Sequence, residues 1–241
     1  MIPLRDYRPS GAVPYVTLLL IIANGLVFLY QVLLQKEPSI FGPRISQADV
    51  FILQYGLIPR ELVHMRDLPP LIPFPIWTTL FTSMFLHGGI AHIGGNMLYL
   101  WIFGDNVEGA MGHLKFLVFY LLCGAIAALA QVAISVNSTT PIIGASGAIA
   151  GVLGAYLMLF PYSRILTLVF FFFFIRLIQL PALLILGLWF VYQLVLAPTG
   201  LGSGGGVAFF AHIGGFVTGA LLVYVFKKSH VEVQLFRRRG Y

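Results

Sequence analysis

The side chains of Ser146 and His212 are those of a nucleophile and a general base. An imidazole that takes the proton from a serine hydroxyl makes the serine oxygen reactive toward a carbonyl carbon. Both residues lie in long apolar segments, where a polar or ionisable side chain is costly and indicates a functional site by default. The pair therefore predicts serine-based acyl transfer, provided that the fold brings the two side chains together.

Two stripes of small residues at helical spacing accompany this pair. One stripe begins at Ser146 and the other at His212, and their further members are Ala150, Gly154, Gly215 and Gly219. Small residues at this spacing let two helix backbones approach closely in lipid. We therefore expect the two helices to pack together, with Ser146 and His212 on facing sides.

His92 and Asn96 are four residues apart, so on a helix they share a face and can point two donors at one position. Gly144 and Gly147 lie on either side of the serine and loosen the backbone where its helix begins. Backbone amides at a helix start are further donors, and the helix dipole favours negative charge there. These groups form a candidate oxyanion hole, whose donors stabilise the negative charge that develops in the transition state.

His87 precedes His92 by five residues, which is about 140° around a regular helix. We therefore expect it to act separately, as a supporting residue. No Asp or Glu falls within the second, fourth, fifth or sixth apolar segment of the sequence. The predicted catalytic group is thus a dyad of Ser146 and His212 without an acidic third member.

The composition indicates that a membrane protein holds these residues. Of the 241 residues, 59% are hydrophobic and 9% are charged, whereas soluble domains average about 45–50% apolar and about 25% charged residues. A bilayer-spanning helix needs about 20 apolar residues, so the chain has room for about six such helices and little else. The single cysteine, Cys123, excludes an internal disulfide framework and a multi-cysteine metal site.

Six apolar segments predict an all-α membrane protein, a six-helix bundle over residues 15–226. The predicted spans cover residues 15–34, about 87–103, 116–136, 142–160, 179–196 and 207–226. Residues 104–115 are expected to form a short polar connection, and residues 197–206 a flexible loop. Residues 165–175, with their phenylalanine run, are expected to be interfacial or partly inserted, and two short spans remain the alternative there.

The positions of Lys and Arg predict the orientation of the bundle. With a cytoplasmic N-terminus, four of the 14 basic residues lie in one outer loop, residues 35–75, and ten lie inside. The ten are Arg5, Arg8, Lys115, Arg164, Arg176, Lys227, Lys228, Arg237, Arg238 and Arg239. Because basic residues favour the cytoplasmic side, residues 1–14 and the basic tail 227–241 are both predicted to be cytoplasmic. The expected location is the plasma (inner) membrane.

This orientation has two consequences. The second, fourth and sixth spans all enter from the outer face, which places His92, Ser146 and His212 at one depth. Anionic lipid on the inner leaflet is a sufficient partner for the basic tail. The net charge of +6 therefore does not indicate nucleic acid as a partner.

Four short motifs occur in order along the six predicted spans. They are His87-x4-His92-x3-Asn96, Gly104-x3-Glu108-x3-Gly112, Gly144-Ala145-Ser146-Gly147 and Ala211-His212-x-x-Gly215. In these motifs the chain resembles the rhomboid family of intramembrane serine proteases, and the resemblance extends over residues 15–226, nearly the whole chain.

The resemblance implies that Ser146 is the nucleophile and that His212 is the general base and then the general acid. It also implies an oxyanion hole formed by His92, Asn96 and the backbone amide of Ser146. No cofactor is required, and the expected substrates are transmembrane proteins. Some family members have a tyrosine four residues after the serine that stacks on the histidine. Ala150 occupies that position here, so His212 needs another support.

Two other functions are compatible with some of these residues. A metal or proton transporter could use His87, His92 and His212, but zinc needs three or four converging ligands, and no metal is expected here. A rhomboid-like protein that binds transmembrane helices without cleaving them is the second alternative. Such a protein need not keep both Ser146 and His212, and this chain has both.

Overall fold

The computed structural model describes residues 1–8, 10–35, 46–171, 174–200 and 207–235, and this part of the chain is mostly helical. Its helices are α1 (Tyr15–Leu34), α2 (Gln47–Tyr55), α3 (Pro59–His64), α4 (Thr79–Thr82), α5 (Ile90–Met111), α6 (His113–Ile134), α7 (Ser146–Leu159), α8 (Ala182–Leu196) and α9 (Phe209–Phe226). The strands are β1 (Ile2–Asp6), β2 (Arg164–Phe171) and β3 (Phe174–Pro181), and short 3-10 turns cover Ile76–Thr78, Ser83–Phe85 and Ala197–Gly200.

Four helices in the described residues are long and apolar enough to cross a membrane. They are α1, α6, α8 together with its following turn, and α9. Helix α7 has 14 residues and is a shorter apolar helix, and it is the most enclosed element, since every residue from Gly147 to Leu159 is buried. The structure therefore places the residue predicted as nucleophile on the central helix of the bundle.

Helices α7 and α9 pack together through glycines, as the sequence predicts. A Cβ added at Gly215 would collide with the carbonyl oxygen of Gly147, and one at Gly219 would collide with that of Gly151. Of the stripe predicted on α7, Gly154 contacts α9 as expected, since a Cβ there would collide with the Phe216 carbonyl oxygen. The contacts to Gly215 and Gly219 come from Gly147 and Gly151, which each follow a predicted position by one residue. Close approach of the two backbones fixes the first turns of both helices relative to each other.

The bounds predicted for the second span are wrong at both ends. Helix α5 starts at Ile90, since Gly88 and Gly89 precede it in a non-helical conformation, and it continues to Met111. The predicted polar connection over residues 104–115 is therefore mostly helix, and α5 does contain two acidic residues, Asp105 and Glu108.

Contacts with α1 explain why the second helix continues through an acidic residue. The buried Glu108 carboxylate accepts hydrogen bonds from the backbone amides of Val16 and Thr17, at 2.9 and 2.8 Å, and from the Thr17 hydroxyl at 2.7 Å. His113 Nδ1 lies 2.6 Å from the same carboxylate. Glu108 thus caps the start of α1, and its charge is satisfied inside the fold, at the opposite end of α5 from His92.

The chain also forms a three-stranded antiparallel sheet, which corrects the all-α prediction. Strands β2 and β3 form a hairpin, and β1 pairs with β2 from Ile2 opposite Leu168 to Asp6 opposite Ile165. The residues predicted as an interfacial segment are rich in β-branched and aromatic types, which favour strands. The following helix begins at Ala182 and not at Gln179. Residues 172–173 of the phenylalanine run lie outside the described residues.

The N-terminal strand is attached to the central helix by hydrogen bonds. The Tyr156 hydroxyl and Asn106 Nδ2 both donate to the Asp6 carboxylate, and burial raises the pKa of this carboxyl despite those bonds. Residues 1–14, predicted to be a short terminal segment, therefore contain a strand that contacts α5 and α7 directly.

The predicted outer loop, residues 35–75, is described at residue 35 and from Ser46 onward, and it contains two short helices there. The Ser46 hydroxyl accepts from the Asp49 amide and the Asp49 carboxylate accepts from the Ser46 amide, a capping box that starts α2. Leu57 pairs with Ile142 through two backbone hydrogen bonds of 3.1 and 2.8 Å. The loop is thus tied to the segment that leads into Ser146. Residues 201–206, in the predicted flexible loop, and 236–241, in the predicted tail, lie outside the described residues.

Candidate active site

Ser146 is the first residue of α7, and the turn before it determines its position. Gly144 has φ of 120°, a conformation that favours glycine, and its amide donates to the Ser83 carbonyl at 2.9 Å. Because of this turn, Ser146 lies at the wall of a cavity, and α7 begins at Ser146. The sequence placed Ser146 near a helix start, and the structure makes it the start itself.

The hydroxyl of Ser146 lies next to the imidazole of His212. Their Oγ and Nε2 atoms are 2.8 Å apart, although 66 residues separate them in the sequence. His212 lies in the first turn of α9, so the glycine contacts between α7 and α9 hold both side chains at the same end of the bundle. This distance suits direct proton transfer from the hydroxyl to the imidazole.

The other nitrogen of His212 contacts a residue that the sequence analysis missed. Nδ1 lies 2.8 Å from Gln193 Oε1, and the Trp189 ring lies beside the imidazole with a centroid distance of 5.8 Å. Both residues are on α8, one helical turn apart. Gln193 was detectable in principle, because an amide side chain within an otherwise apolar helix calls for a buried partner. These contacts provide the support that Ala150 cannot.

His87 and Asn96 form a hydrogen-bonded pair, which corrects the prediction that His87 acts separately. His87 Nε2 lies 2.9 Å from Asn96 Nδ2, and the His87 and His92 rings meet edge to face at 5.1 Å. The prediction assumed a helix that already includes His87. Because α5 begins at Ile90, the preceding residues fold back toward the helix and bring the His87 ring to Asn96.

The backbone of His87 is held by α1. Gln31 Nε2 donates to the His87 carbonyl at 3.2 Å, and Gln31 Oε1 accepts from the His87 amide at 3.1 Å. Both residues are buried, with exposed fractions of 4% and 1%. His87 is therefore a fixed link between α1 and the polar face of α5, and Gln31 is a second supporting residue that the sequence analysis missed.

His92 and Asn96 lie close to the turn that precedes the serine. A Cβ added at Gly144 would be 2.8 Å from His92 Nε2 and 3.7 Å from Asn96 Nδ2. The Gly88 amide contacts the other side of the His92 ring, at 3.3 Å from Nδ1. The structure thus brings the predicted donors together with Ser146. Gly147 lies elsewhere, against Ala127 on α6, so its contacts are packing contacts.

These groups line a cavity of about 1100 Å³. Its wall includes His92, Asn96, Ser146 and His212, together with Trp189 and residues of the segment that leads into α7. The start of α7 and the segments that border it, 135–145 and 207–208, lie at the end of the bundle opposite Glu108 and the sheet. The cavity is large enough to admit several residues of an extended peptide.

A family model described as the Rhomboid domain matches residues 75–229, well over half of the chain. The matched region contains the residues that line the candidate site, and the supporting residue Gln31 lies outside it. The chain belongs to the rhomboid family. Its membership of this family and its apolar helices together identify the chain as an integral membrane protein.

Several curated proteins are similar to this rhomboid chain. Rhomboid protein 1, mitochondrial, from Saccharomyces cerevisiae is 32% identical over 222 residues, which are 87% of this chain and 56% of that protein. RHOMBOID-like protein 1 from Arabidopsis thaliana is 32% identical over 191 residues, 79% of this chain and 43% of that protein. Rhomboid protease GluP from Bacillus subtilis is 46% identical over 81 residues, 34% of this chain and 15% of that protein. The chain thus spans about half the length, or less, of these relatives.

The histidines of this rhomboid do not form a metal centre in the part of the chain that the structure describes. There, no three His, Cys, Asp or Glu side chains come close enough to hold a metal ion together. His87 Nε2 and His212 Nε2 instead face Asn96 and Ser146. The site is arranged for hydrogen bonding and proton transfer between side chains.

Proposed function

We propose that this rhomboid protein is an intramembrane serine endopeptidase that cleaves peptide bonds in or near transmembrane segments of other membrane proteins. The observation that carries the proposal is the 2.8 Å contact between Ser146 Oγ and His212 Nε2 at the wall of a cavity. His212 takes the serine proton as Ser146 Oγ attacks the scissile carbonyl carbon. It then gives that proton to the leaving amine, and an acyl-enzyme remains on Ser146.

The second half of the reaction uses the same residues with water. His212 takes a proton from a water molecule, which attacks the ester carbonyl of the acyl-enzyme. The serine oxygen then leaves with the proton from the imidazole, and the second product departs. No metal or cofactor enters either half of this reaction.

The negative charge that develops on the carbonyl oxygen needs donors in both halves. We assign this role to His92, Asn96 and the backbone amide of Ser146, supported by His87 and Gly144. Gly147 contributes only through the packing of α7. The position of the His92 and Asn96 side chains beside the Gly144 turn supports this assignment. Gly144 has a particular importance, since any side chain there would occupy the space next to the His92 ring.

We further propose that six helices span the membrane, namely the four long apolar helices together with α5 and α7. Helix α7 is enclosed by its neighbours, so its short length does not expose its ends to lipid. Residues 15–226 then form the membrane domain, with residues 1–14 and 227–241 in the cytoplasm and the plasma (inner) membrane as the location. Described basic residues support this orientation: one end of the bundle has Arg5, Arg8, Lys115, Arg164, Arg176, Lys227 and Lys228, and the other has Arg60 and Arg66.

Reconstitution tests the proposed activity. The purified protein in lipid vesicles is incubated with a single-span substrate, and Ser146→Ala is compared with the parent. Ser10→Ala, which changes a serine far from the cavity, is the matched control. Cleavage by the parent and by Ser10→Ala, with none by Ser146→Ala, is the expected result. Stable binding of the substrate without any product would instead support a non-enzymatic protein that recognises transmembrane helices.

A further inference from the structure

Gln193 is a buried amide side chain that touches the predicted general base. It lies on α8 with an exposed fraction of 4%, and its Oε1 is 2.8 Å from His212 Nδ1. Its other end, Nε2, donates to the Trp189 carbonyl at 3.4 Å. Both ends of the amide therefore have partners. The Trp189 carbonyl can only accept a hydrogen bond, whereas an imidazole nitrogen can donate or accept one.

These two contacts determine which atom donates and which accepts in each hydrogen bond from Trp189 through Gln193 and His212 to Ser146. A backbone carbonyl can only accept, so the amide nitrogen of Gln193 must point to Trp189 and its oxygen to His212. An amide oxygen only accepts, so His212 Nδ1 must carry the hydrogen. The lone pair of the neutral imidazole is then on Nε2, the atom that faces the Ser146 hydroxyl.

We infer that Gln193 is the positioning residue for His212, and that its side-chain oxygen holds the imidazole in the tautomer that can accept the serine proton. This inference rests on the proposed protease function. A catalytic triad gives the same task to a buried carboxylate. A neutral amide does it here without placing a charge in the membrane, where a charge is costly.

Trp189 completes the support from the same helix. Its ring packs beside the His212 imidazole at 5.8 Å and beside Phe216 at 6.1 Å. The hydrogen bond sets the tautomer and the ring contact limits rotation, so α8 alone supplies both supports.

Two substitutions at one position separate a hydrogen-bonding role from packing. Gln193→Leu keeps a similar volume but removes the acceptor, and Gln193→Glu keeps an acceptor oxygen. We expect Gln193→Leu to lower kcat by about 10- to 100-fold, as for the loss of one buried hydrogen bond, with KM nearly unchanged. We expect Gln193→Glu to retain more activity than Gln193→Leu.

The control for these variants is Tyr192→Leu, which changes the neighbouring residue on α8, 58% exposed, and should retain parent activity. Packing alone predicts the opposite order, since leucine suits a membrane helix better than glutamate. Equal activity of Gln193→Leu and the parent, or higher activity of Gln193→Leu than of Gln193→Glu, would overturn the inference.

A second measurement does not depend on cleavage. The protein is labelled with ¹⁵N-histidine, and the His212 resonances are assigned by comparison with His212→Ala. We expect the neutral ring to carry its hydrogen on Nδ1 in the parent and to lose this preference in Gln193→Leu. A parent ring protonated on Nε2 would contradict the role of Gln193. A correct tautomer in a protein that cleaves nothing would contradict the protease function and leave the assigned hydrogen-bond direction intact.

Discussion

At the scale of residues, the site depends on side chains that neighbouring elements hold from several sides. Ser146 contacts His212, and His212 in turn contacts Gln193. On the other side of the cavity, Asn96 contacts His87, whose backbone is held by Gln31. His212 and Asn96, which are expected to act on the substrate, are therefore each contacted by a second residue that restricts their orientation.

Ser146→Ala and His212→Ala are each expected to abolish cleavage while the helical content stays unchanged. The nucleophile and the base act as one unit, so the double variant should be no worse than either single variant. Rates measured on a single-span substrate, with circular dichroism as the fold control, check this expectation. Cleavage by Ser146→Ala well above background would rule out a serine mechanism.

Asn96→Ala is expected to slow turnover by about 10²–10³-fold if Asn96 is an essential oxyanion donor. A smaller loss is expected if His92 and the backbone amides share the charge. The double variant Asn96→Ala and His92→Ala should then lose more than either single one. An unchanged rate in the double variant would place the oxyanion hole elsewhere.

Gly144→Ala tests the turn that positions Ser146. Alanine disfavours the φ of 120°, and its methyl group would lie 2.8 Å from His92 Nε2. We expect a large loss of kcat with the helices retained. Gly11→Ala is a matched control, because Gly11 also has a positive φ but lies in the N-terminal segment. A similar loss in both variants would argue against a specific role for the turn.

At the scale of elements, the sequence predicted the helices better than their ends. The first span was predicted correctly at residues 15–34, because the length of its apolar run alone determines it. The second span was misplaced, since Glu108 was interpreted as a loop residue and its partners on α1 are visible only in three dimensions. The hairpin was missed for a related reason: apolar residues near a membrane gave no indication of whether they pair with each other or enter lipid.

The pairing of α7 with α9 is expected to be sensitive to a single methyl group. Gly219→Ala would collide with the Gly151 carbonyl, so we expect overpacking to cost about 1–3 kcal/mol and to lower the melting temperature. Gly187→Ala on α8 is the control, because a Cβ there meets open space in the described part of the chain, and it should leave the melting temperature unchanged or slightly raised. Equal melting temperatures for both variants would mean that the helices can separate at no cost.

The site itself was predictable from the sequence only in part. The motifs indicated Ser146, His212, His92 and Asn96, and the structure brings these four together around one cavity. The contact between His87 and Asn96 was not predictable, because it depends on where α5 starts. Gln193 was not predicted either: an amide in an apolar helix indicates a buried partner, but no spacing rule identifies that partner as His212.

At the scale of the whole molecule, the orientation in the membrane decides where a substrate meets the serine. We expect Leu4 and Ser138 to lie on opposite sides, with Leu4 in the cytoplasm. Cysteine substitutions at these positions can be labelled with an impermeant thiol reagent, since the native Cys123 is buried. Labelling of Leu4→Cys from outside intact cells would reverse the proposed orientation.

Water and helix stability set the conditions for cleavage. The carbonyl groups of a regular transmembrane helix are bonded within the helix, so the serine can reach one only where the helix unwinds. Ser146 is at the outer end of α7 in the proposed orientation, where water can enter the cavity for deacylation. A substrate with Gly or Pro just past the scissile bond should therefore be cut faster than one with Leu there.

The most direct test is to map the products of one such substrate by mass spectrometry. Purified protein in lipid vesicles is given a single-span substrate with Gly and Pro near the outer end of its span, next to the Leu version and the Ser146→Ala enzyme. We expect one cut in the outer half of the span, slower for the Leu version and absent with Ser146→Ala. No cut by the parent would contradict the proposed protease function, and a cut that persists in Ser146→Ala would contradict the serine mechanism. A cut in the cytoplasmic half would contradict the proposed orientation.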